Sequence, residues 1–399
     1  MSPGPAYLQT FFRWGAGKML IALLRGQAGP GVVVIAPAAA RAFLQAADPL
    51  PGLTWSEDAA GALAQQAARA VVLVDSFDQE RAIRSKLQAA KVPSVGLYGG
   101  FVPRIATQRL PGAVLEPGSG RPGGDRRPVA VRYAIVCLAR VGSDHLCSLL
   151  RRAGLGDPQE HLREATQPAI EAGMSLAAFF RHLEPHAARR GVFGTKLLIA
   201  QFIRACGESG SRADDAAREL IASGLAPLRL TRDPIDGAVS VAIGSKTNVW
   251  HVDQARLGAL QDAQARVELD ERQLLEALYW RIAAEAWADG LFAPADPLKI
   301  DYEALDREPK AVIETIAAHL RTDLPAGLEP RGAEAKMSHE NPAYARWRRR
   351  LCELVLADRA ASLDRVMRIA AGLTGGRPIE ALEARLRAAA ESAERRLDG

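Results

Sequence analysis

The apolar positions of the chain form two series of short runs, separated by helical patterns. In the first series, residues 32–35 and 71–74 are β-branched runs and residues 92–97 are a weaker third run. Helical spacing occupies the intervening stretches at residues 38–47, 59–68 and 79–91. This alternation predicts a small Rossmann-like α/β domain with a parallel sheet. No GxGxxG motif follows the first run, so the usual signature of dinucleotide binding is missing.

The second series opens with residues 133–138, which have the length and branching of a buried strand. A polar turn at residues 140–144 follows, and residues 145–152 then show helical spacing of leucines. In a strand that enters a helix through a tight turn, the first helical N–H groups point into the turn. Together with the helix dipole, they can bind phosphate or sulfate. The alternative is an ordinary strand–turn–helix with an arginine on its surface.

The two series are separated by residues 108–128, which are rich in proline, glycine and arginine. Such a stretch cannot bury much apolar area, so it is interpreted as a linker. We therefore predict an N-terminal domain at residues 1–107 and a second domain at residues 129–375. Residues 376–399 carry an amphipathic helical pattern, too short to indicate a coiled coil, that would pack on the body or on a second subunit in a homodimer.

The first 47 residues contain no acidic side chain. Within them, the apolar residues Leu8, Phe11, Met19 and Leu23 share one helical face with basic residues nearby. A basic amphipathic helix can lie on an anionic membrane surface, which would make the protein membrane-peripheral. The alternative is a terminal helix packed on its own domain.

Composition narrows the classes of partner. Lysine and arginine total 51 against 46 for aspartate and glutamate, an excess that suits an anionic ligand but is too small and dispersed for nucleic acid. The four cysteines show no CxxC pair and no metal-type spacing. We therefore expect a reduced, cytoplasmic protein without disulfides or a metal site. No apolar run has the length of a membrane span.

The polar turn Arg140-Val-Gly-Ser-Asp144 is similar to the pattern R-[ST]-G-[ST]-[ST]-x-L of sulfotransferases that use 3′-phosphoadenosine-5′-phosphosulfate (PAPS). Over residues 132–350 the chain resembles the family of bacterial trehalose 2-sulfotransferases and Nod-factor sulfotransferases. The resemblance implies a P-loop-like sulfotransferase domain, with a parallel sheet flanked by helices. It also implies that Arg140, Gly142, Ser143 and Asp144 bind the 5′-phosphosulfate.

Asp144 departs from the family pattern, which has serine or threonine at that position. A carboxylate at 4 Å from the phosphosulfate would repel it by about 4 kcal/mol if the effective dielectric constant were near 20. Two arrangements would avoid this repulsion. Asp144 could turn away to cap the helix, or it could orient His145 or the acceptor.

A second matching stretch, residues 154–161, is similar to the family's G-E-P-Q-E-F. The resemblance makes Glu160 the general base and places His161 beside the acceptor. An acceptor hydroxyl must lose its proton as the sulfuryl group arrives, and a positioned carboxylate typically accelerates such a step by about 10²–10⁴-fold. The alternative is that Glu160 is only an acidic residue at a helix start.

Residues 191–201 are similar to the family's G-V-W-G-x-K-L-M-W-x-Q. Lys196 and Gln201 occupy its lysine and glutamine positions. Lys196 would neutralise charge that develops on the bridging oxygen, and Gln201 would contact the acceptor. A solvated lysine before an apolar run is the alternative.

A third stretch has Arg232 at a strand end and Ser240 eight residues later, on the next predicted helix. The resemblance assigns this pair to the 3′-phosphate, where an arginine and a hydroxyl supply charge-assisted hydrogen bonds. Residues 246–250 are similar to Q-T-x-V-W, so Trp250 would line the acceptor pocket or pack in the core. Lys336 and the basic run at residues 346–350 would close over the nucleotide, or form a solvated face.

Together these patterns predict a sulfotransferase that moves a sulfuryl group from PAPS to a hydroxyl of a carbohydrate or glycoconjugate, without a metal. One alternative is a non-catalytic nucleotide-binding or scaffolding protein that retains the fold. A P-loop kinase is disfavoured because GxxxxGK[ST] is absent from the sequence.

Overall fold

The computed structural model describes most of the chain in two compact units. The described residues are 5–13, 16–106, 128–163, 166–248, 266–324, 342–374 and 382–398. The first unit contains Met1–Ala130, Gln159–Phe193 and Gln201–Gly224, and the second contains Val131–Pro158, Gly194–Ala200 and Leu225–Gly399. The first unit thus includes two segments beyond the predicted linker.

The elements run in the following order. The strands are β1 (Val32–Ile35), β2 (Thr54–Ser56), β3 (Arg69–Val72), β4 (Ser94–Gly96), β5 (Val131–Cys137), β6 (Gln159–Glu160), β7 (Val192–Leu198), β8 (Ala226–Thr231) and β9 (Leu298–Asp301). The helices are α1 (Ala6–Arg13), α2 (Gly17–Arg25), α3 (Ala38–Ala47), α4 (Ala59–Ala64), α5 (Phe77–Ala89), α6 (Val102–Ala106), α7 (Ser143–Arg152), α8 (Gln167–Glu171), α9 (Leu176–Ala187), α10 (Ile199–Glu208), α11 (Ala213–Ala222), α12 (Pro234–Thr247), α13 (Glu271–Phe292), α14 (Tyr302–Arg307), α15 (Pro309–His319), α16 (Pro342–Ala357), α17 (Arg359–Thr374) and α18 (Leu382–Asp398). Two tighter or wider turns complete them, a π-helical turn at Leu97–Phe101 and a 3₁₀ turn at Ala293–Ala295.

The first unit is built on a four-stranded parallel sheet in the order β2-β1-β3-β4. All four residues of β1 are buried, because their β-branched side chains pack on both faces of the sheet. Strand β1 and helix α3 begin and end where the sequence predicts. Strand β2 was not predicted, because its three residues contain no apolar run. Helices α8 and α9 belong to this unit because they pack on α1, α6 and the π-helical turn.

The N-terminal segment is two helices, α1 and α2, rather than one. Their apolar side chains are buried, with Leu8, Phe11, Leu20 and Leu24 fully so. The Tyr7 hydroxyl donates a 3.0 Å hydrogen bond to the carbonyl of Leu73. The apolar face proposed for membrane contact is therefore used for packing within the unit. No described helix is long and apolar enough to cross a membrane.

The second sheet has five strands in the order β6-β7-β5-β8-β9. Strand β8 pairs in parallel with both β5 and β9, so Val136 lies opposite Arg229, and Thr231 opposite Asp301. The carboxyl ends of these strands lie at one edge of the sheet, where parallel α/β folds bind ligands. Both β5 and β8 lie close to their predicted positions.

A helical layer forms one apolar core cluster of the second unit. Helix α13 contributes Leu274, Leu278 and Ile282, and α16 contributes Trp347 and Leu351. Both helices pack against α12. The C-terminal helix α18 buries Ala389, Ala390 and Ala393 in this same core. The predicted terminal amphipathic helix thus packs on the body of its own chain.

In the first unit, the buried carboxylate of Glu80 holds the turn that follows β4. It accepts hydrogen bonds from the backbone N–H groups of Tyr98 at 2.7 Å and Gly99 at 2.9 Å. Burial raises the pKa of Glu80, while these N–H groups and Arg84 act in the opposite direction. A Cβ at Gly96 would lie 2.0 Å from the carboxyl carbon. The glycines of this turn therefore make room for Glu80.

We predict that Glu80→Ala lowers the free energy of unfolding by about 2–4 kcal/mol, because two buried N–H groups lose their acceptor. The matched control is Asp78→Ala, since Asp78 lies on the same helix but is largely exposed. Thermal and denaturant unfolding of the full-length protein would measure both variants. Equal, small losses in the two variants would contradict the role given to Glu80.

Candidate active site

A tight turn connects β5 to α7, and two of its residues lie in the left-handed region of backbone space. Arg140 and Gly142 both have positive φ angles, +65° and +79°. A Cβ at Gly142 would lie 2.2 Å from ring carbons of Tyr302, so glycine is required for two reasons. Gly142 is the N-cap residue of α7 and has no side chain with which to cap the helix. The N-terminal N–H groups of α7 therefore face the turn, where an anion is stabilised.

Arg140 and Ser240, which were both predicted to bind phosphate groups of the donor, are in direct contact. The Nε of Arg140 donates to Oγ of Ser240 at 3.1 Å. Arg232, at the end of β8, donates from Nη1 to the backbone carbonyl of Arg140 at 3.2 Å. Burial lowers the pKa of the Arg140 guanidinium, and the charge of Arg232 lowers it further, while Asp144 opposes the shift. Two partly desolvated cations this close to each other favour a bound anion.

Two tyrosines hold Arg232 in place. Its guanidinium carbon lies 4.7 Å from the centre of the Tyr302 ring. Its Nη2 lies 3.5 Å from the hydroxyl of Tyr344, which in turn donates to the carbonyl of Asp236 at 3.0 Å. Neither Tyr302 nor Tyr344 was assigned to the site from the sequence. The signal available for Tyr302 was its place directly after β9, at the same sheet edge as Arg232.

Asp144 forms an ion pair with Lys196, and the distance from Oδ1 to Nζ is 2.5 Å. The Lys196 side chain is buried on β7, whereas the Asp144 side chain is 53% exposed in the first turn of α7. From the sequence, Asp144 was expected to cap the helix or to orient His145 or the acceptor, and this pairing was not foreseen. The lysine is likewise not a solvated side chain, since it is buried and paired.

A second polar group, in the first unit, surrounds Glu160 on β6. The amide Nε2 of Gln201 donates to Glu160 Oε2 at 3.1 Å, and Nε of Arg163 lies 3.8 Å from the same oxygen. His161 is 1% exposed, and its ring stacks on Phe193 with centroids 6.0 Å apart. One oxygen of the carboxylate thus has two described partners. The roles of these residues toward an acceptor stay predictions.

The other predicted ligands are Trp250, Lys336 and the basic run at residues 346–350. Trp250 and Lys336 lie outside the described residues. In the basic run of α16, Arg346 pairs with Glu268 at 2.7 Å and Arg350 pairs with Glu271 at 2.6 Å. Both arginines are paired with carboxylates and are partly exposed.

Two buried arginines beneath the loop were not predicted. Arg281 donates from Nη2 to the carbonyl of Ala139 at 2.7 Å and pairs with Glu285 at 3.3 Å. Arg229 donates from Nη1 to the carbonyl of Val136 at 3.1 Å. Both cations hold carbonyl groups of the segment that leads from β5 into the loop. In the sequence, Arg229 stands within an apolar strand pattern, which is a signal that could have identified it as buried, whereas Arg281 stands within an amphipathic helical pattern.

These features identify the class of protein to which the chain belongs. A parallel sheet whose strand enters a helix through a glycine turn, beside two arginines from neighbouring strand ends, is the P-loop-like arrangement of a sulfotransferase domain. Residues 132–351 match the family described as Stf0 sulphotransferase, and the chain belongs to that family. This match confirms the sulfotransferase fold expected from the sequence.

Comparison with solved structures gives distant similarities. A sulfotransferase from Alicyclobacillus acidocaldarius is 14% identical, with a TM-score of 0.34, over 64% of this chain and 99% of that one. The sulfotransferase domain of a Synechococcus olefin synthase is 15% identical, with a TM-score of 0.30, over 67% of this chain and 96% of that one. Among curated proteins, no match was found.

We predict that Gly142→Ala lowers sulfotransferase activity by about tenfold or more, because alanine disfavours the positive φ and its methyl group would meet the Tyr302 ring. Gly290→Ala is the matched control, since a Cβ at Gly290 on α13 would meet nothing within 4 Å. Initial rates would be compared at equal concentrations of folded protein. If both variants kept full activity, the turn would not need its glycine.

Proposed function

We propose that this protein transfers a sulfuryl group from PAPS to a hydroxyl group of a carbohydrate or glycoconjugate. Membership of the sulfotransferase family establishes the type of group transferred, and the proposal adds the donor and the acceptor class. The observation that carries the donor assignment is the contact of Arg140 with Ser240, beside Arg232 and the N-terminus of α7.

The donor is proposed because it has two anionic ends, and the site has two adjoining anion-binding features. The N-terminus of α7 and Arg140 suit the 5′-phosphosulfate, through backbone N–H groups and a guanidinium. Arg232 and Ser240 suit the 3′-phosphate, which ATP and AMP lack. The Arg140–Ser240 hydrogen bond joins the two features, so one ligand could engage both.

The acceptor assignment is supported by the resemblance to trehalose 2-sulfotransferases and Nod-factor sulfotransferases. In the proposed reaction, the acceptor oxygen forms a bond to sulfur while the bond from sulfur to the bridging phosphate oxygen breaks. The hydroxyl proton goes to Glu160, and 3′,5′-adenosine bisphosphate leaves. Gln201 supports this role because its amide donates to one carboxylate oxygen and so fixes the orientation of the base.

Lys196 is proposed to balance the negative charge that develops on the bridging oxygen. Its present partner is Asp144, and this pair is also the observation that favours the second candidate function. If Asp144 kept Lys196 from the donor, the protein would bind the nucleotide without transferring sulfate and would act as a scaffold. Donor binding without transfer to any acceptor would favour that candidate.

We predict that the protein binds 3′,5′-adenosine bisphosphate more tightly than 5′-AMP or ATP, and that Arg232→Ala weakens bisphosphate binding by about 10–100-fold. Binding of AMP should change little, because AMP has no 3′-phosphate. Calorimetric titration would measure each affinity, with Ser240→Ala as a second variant. Arg349→Ala is the control, because the Arg349 side chain is largely exposed. Equal affinity of the wild type for bisphosphate and AMP would reject the donor assignment.

We predict that Glu160→Gln leaves bisphosphate binding intact and lowers the transfer rate by about 10²–10⁴-fold, because glutamine cannot accept the hydroxyl proton. Gln201→Ala should lower the rate less, since the Glu160 carboxylate would remain but would lose the hydrogen bond from the Gln201 amide. Glu171→Gln is a matched control on the exposed surface of the same unit. Transfer of radiolabelled sulfate to a panel of sugars and glycolipids would provide the rates. Unchanged turnover in Glu160→Gln would reject Glu160 as the base.

A further inference from the structure

The C-terminal helix α18 lies outside the stretch that matches the sulfotransferase family, which ends at residue 351. Two of its side chains nevertheless contact the start of α12. Arg396 forms a bidentate pair with Asp236, with Nη1–Oδ1 and Nη2–Oδ2 distances of 3.0 and 2.9 Å. The hydroxyl of Ser392 donates to Oδ2 of Asp233 at 2.6 Å. Ser392 is buried, so this contact is shielded from water.

Asp233 and Asp236 are the residues that fix the first turn of α12. Asp233 is the N-cap, and its Oδ1 accepts hydrogen bonds from the N–H groups of Ile235 at 2.9 Å and Asp236 at 3.1 Å. With Ser392 on Oδ2, both oxygens of the cap are engaged. The guanidinium of Arg396 also lies 3.2 Å from Asp233. The C-terminal helix therefore holds both carboxylates of this turn.

The residues assigned to the 3′-phosphate flank this turn. Arg232 directly precedes the cap, and Ser240 lies one helical turn after Asp236. A contact path also connects them, because the carbonyl of Asp236 accepts from the Tyr344 hydroxyl, which lies 3.5 Å from Arg232. Burial raises the pKa of Asp236, but hydrogen bonds and charge from Arg396 and other arginines outweigh it, so the net shift is downward. The carboxylate is thus held in its charged form.

The same helix reaches the loop side of the site through a second contact. Arg385 donates to Glu285 Oε2 at 3.0 Å and also pairs with Asp289. Glu285 pairs with Arg281, and Asp289 accepts from Arg229 at 2.8 Å. Those two arginines bind the carbonyl groups of the segment entering the loop. Both ends of the proposed nucleotide site are therefore connected to α18.

We propose that α18 is part of the nucleotide site, with Arg396 and Ser392 as positioning residues that set Arg232 and Ser240 for the 3′-phosphate. The inference rests on the proposed function, because it assigns the 3′-phosphate to this pair. Neither residue of α18 needs to touch the nucleotide. Their effect would be on affinity for a ligand that carries the 3′-phosphate.

The test uses the full-length protein with Arg396→Gln, and with Arg395→Gln as the matched control. Arg395 is the adjacent, exposed arginine of the same helix, so both variants lose one charge at nearly the same place. We expect Arg396→Gln to weaken binding of 3′,5′-adenosine bisphosphate by about tenfold, and 5′-AMP binding to change little. Arg396→Lys should recover part of the affinity, since lysine keeps the charge but not the bidentate geometry.

The ratio of the bisphosphate and AMP affinities separates positioning from general destabilisation, because a reduced folded fraction changes the binding stoichiometry and not this ratio. Hydrogen–deuterium exchange over residues 234–247 without ligand supplies a second readout, in which Arg396→Gln should exchange faster than Arg395→Gln. If Arg396→Gln does not fold, Asp236→Asn weakens the same pair from the other side. Equal affinity ratios in Arg396→Gln and Arg395→Gln would overturn the inference.

A wild-type protein that bound bisphosphate and AMP equally would overturn the proposed donor instead. In that case, exchange over residues 234–247 still decides whether α18 holds this turn. Faster exchange in Arg396→Gln would support positioning by α18, and unchanged exchange would reject it.

Discussion

The contact on which the candidate active site most depends is the one between Arg281 and the carbonyl of Ala139. It fixes the residue directly before Arg140 at 2.7 Å from a buried guanidinium on α13. The same guanidinium limits the approach of α12, since a Cβ at Gly237 would lie 2.4 Å from its Cζ. One side chain therefore sets the separation of the loop from the helix that carries Ser240. Without it, the loop and α12 would not be held at the separation that the Arg140–Ser240 hydrogen bond requires.

Such a contact requires that a buried cation be compensated. Burial lowers the pKa of Arg281, while the charge and hydrogen bond of Glu285 raise it. A buried ion pair adds little net stability over an apolar pair, but leaving one member alone typically costs about 3–5 kcal/mol. The structure is consistent with this rule, because each buried arginine has a carboxylate partner. Arg229 pairs with Asp289 and Arg281 pairs with Glu285, and Arg385 from α18 pairs with both carboxylates. This network acts mainly by fixing the positions of these side chains, because hydrogen-bonded charges tolerate few alternative arrangements.

Sequence reasoning predicted the parts of the fold that local patterns determine. Strand β1, helix α3 and the strand–turn–helix around Gly142 follow from periodicity and turn chemistry. It could not predict the Asp144–Lys196 pair or the Arg140–Ser240 contact. Those partners are 52 and 100 residues apart, and only the tertiary fold brings them together.

Buried charged residues were missed for a related reason. Arg281 lies within an amphipathic helical pattern, and an arginine there is usually assigned to the solvated face. Only the neighbouring element shows that it is buried and paired. The tyrosines of the site posed the same difficulty, since an aromatic residue after a strand or within a helix is most often core. For Tyr302 and Tyr344, the distinguishing fact is their contact with Arg232.

The Asp144–Lys196 pair shows how a change from the family pattern can leave the charge balance of a site intact. The two side chains cancel each other, so Arg140 and Arg232 supply the excess positive charge for an anion. Their burial differs, because the lysine side chain is buried while that of Asp144 is 53% exposed. When an anionic group approaches Lys196, the carboxylate can turn further into water, which solvates it, whereas the lysine is buried. Lys196 would then exchange one anionic partner for another, and the repulsion expected from Asp144 would become a competition for a single cation.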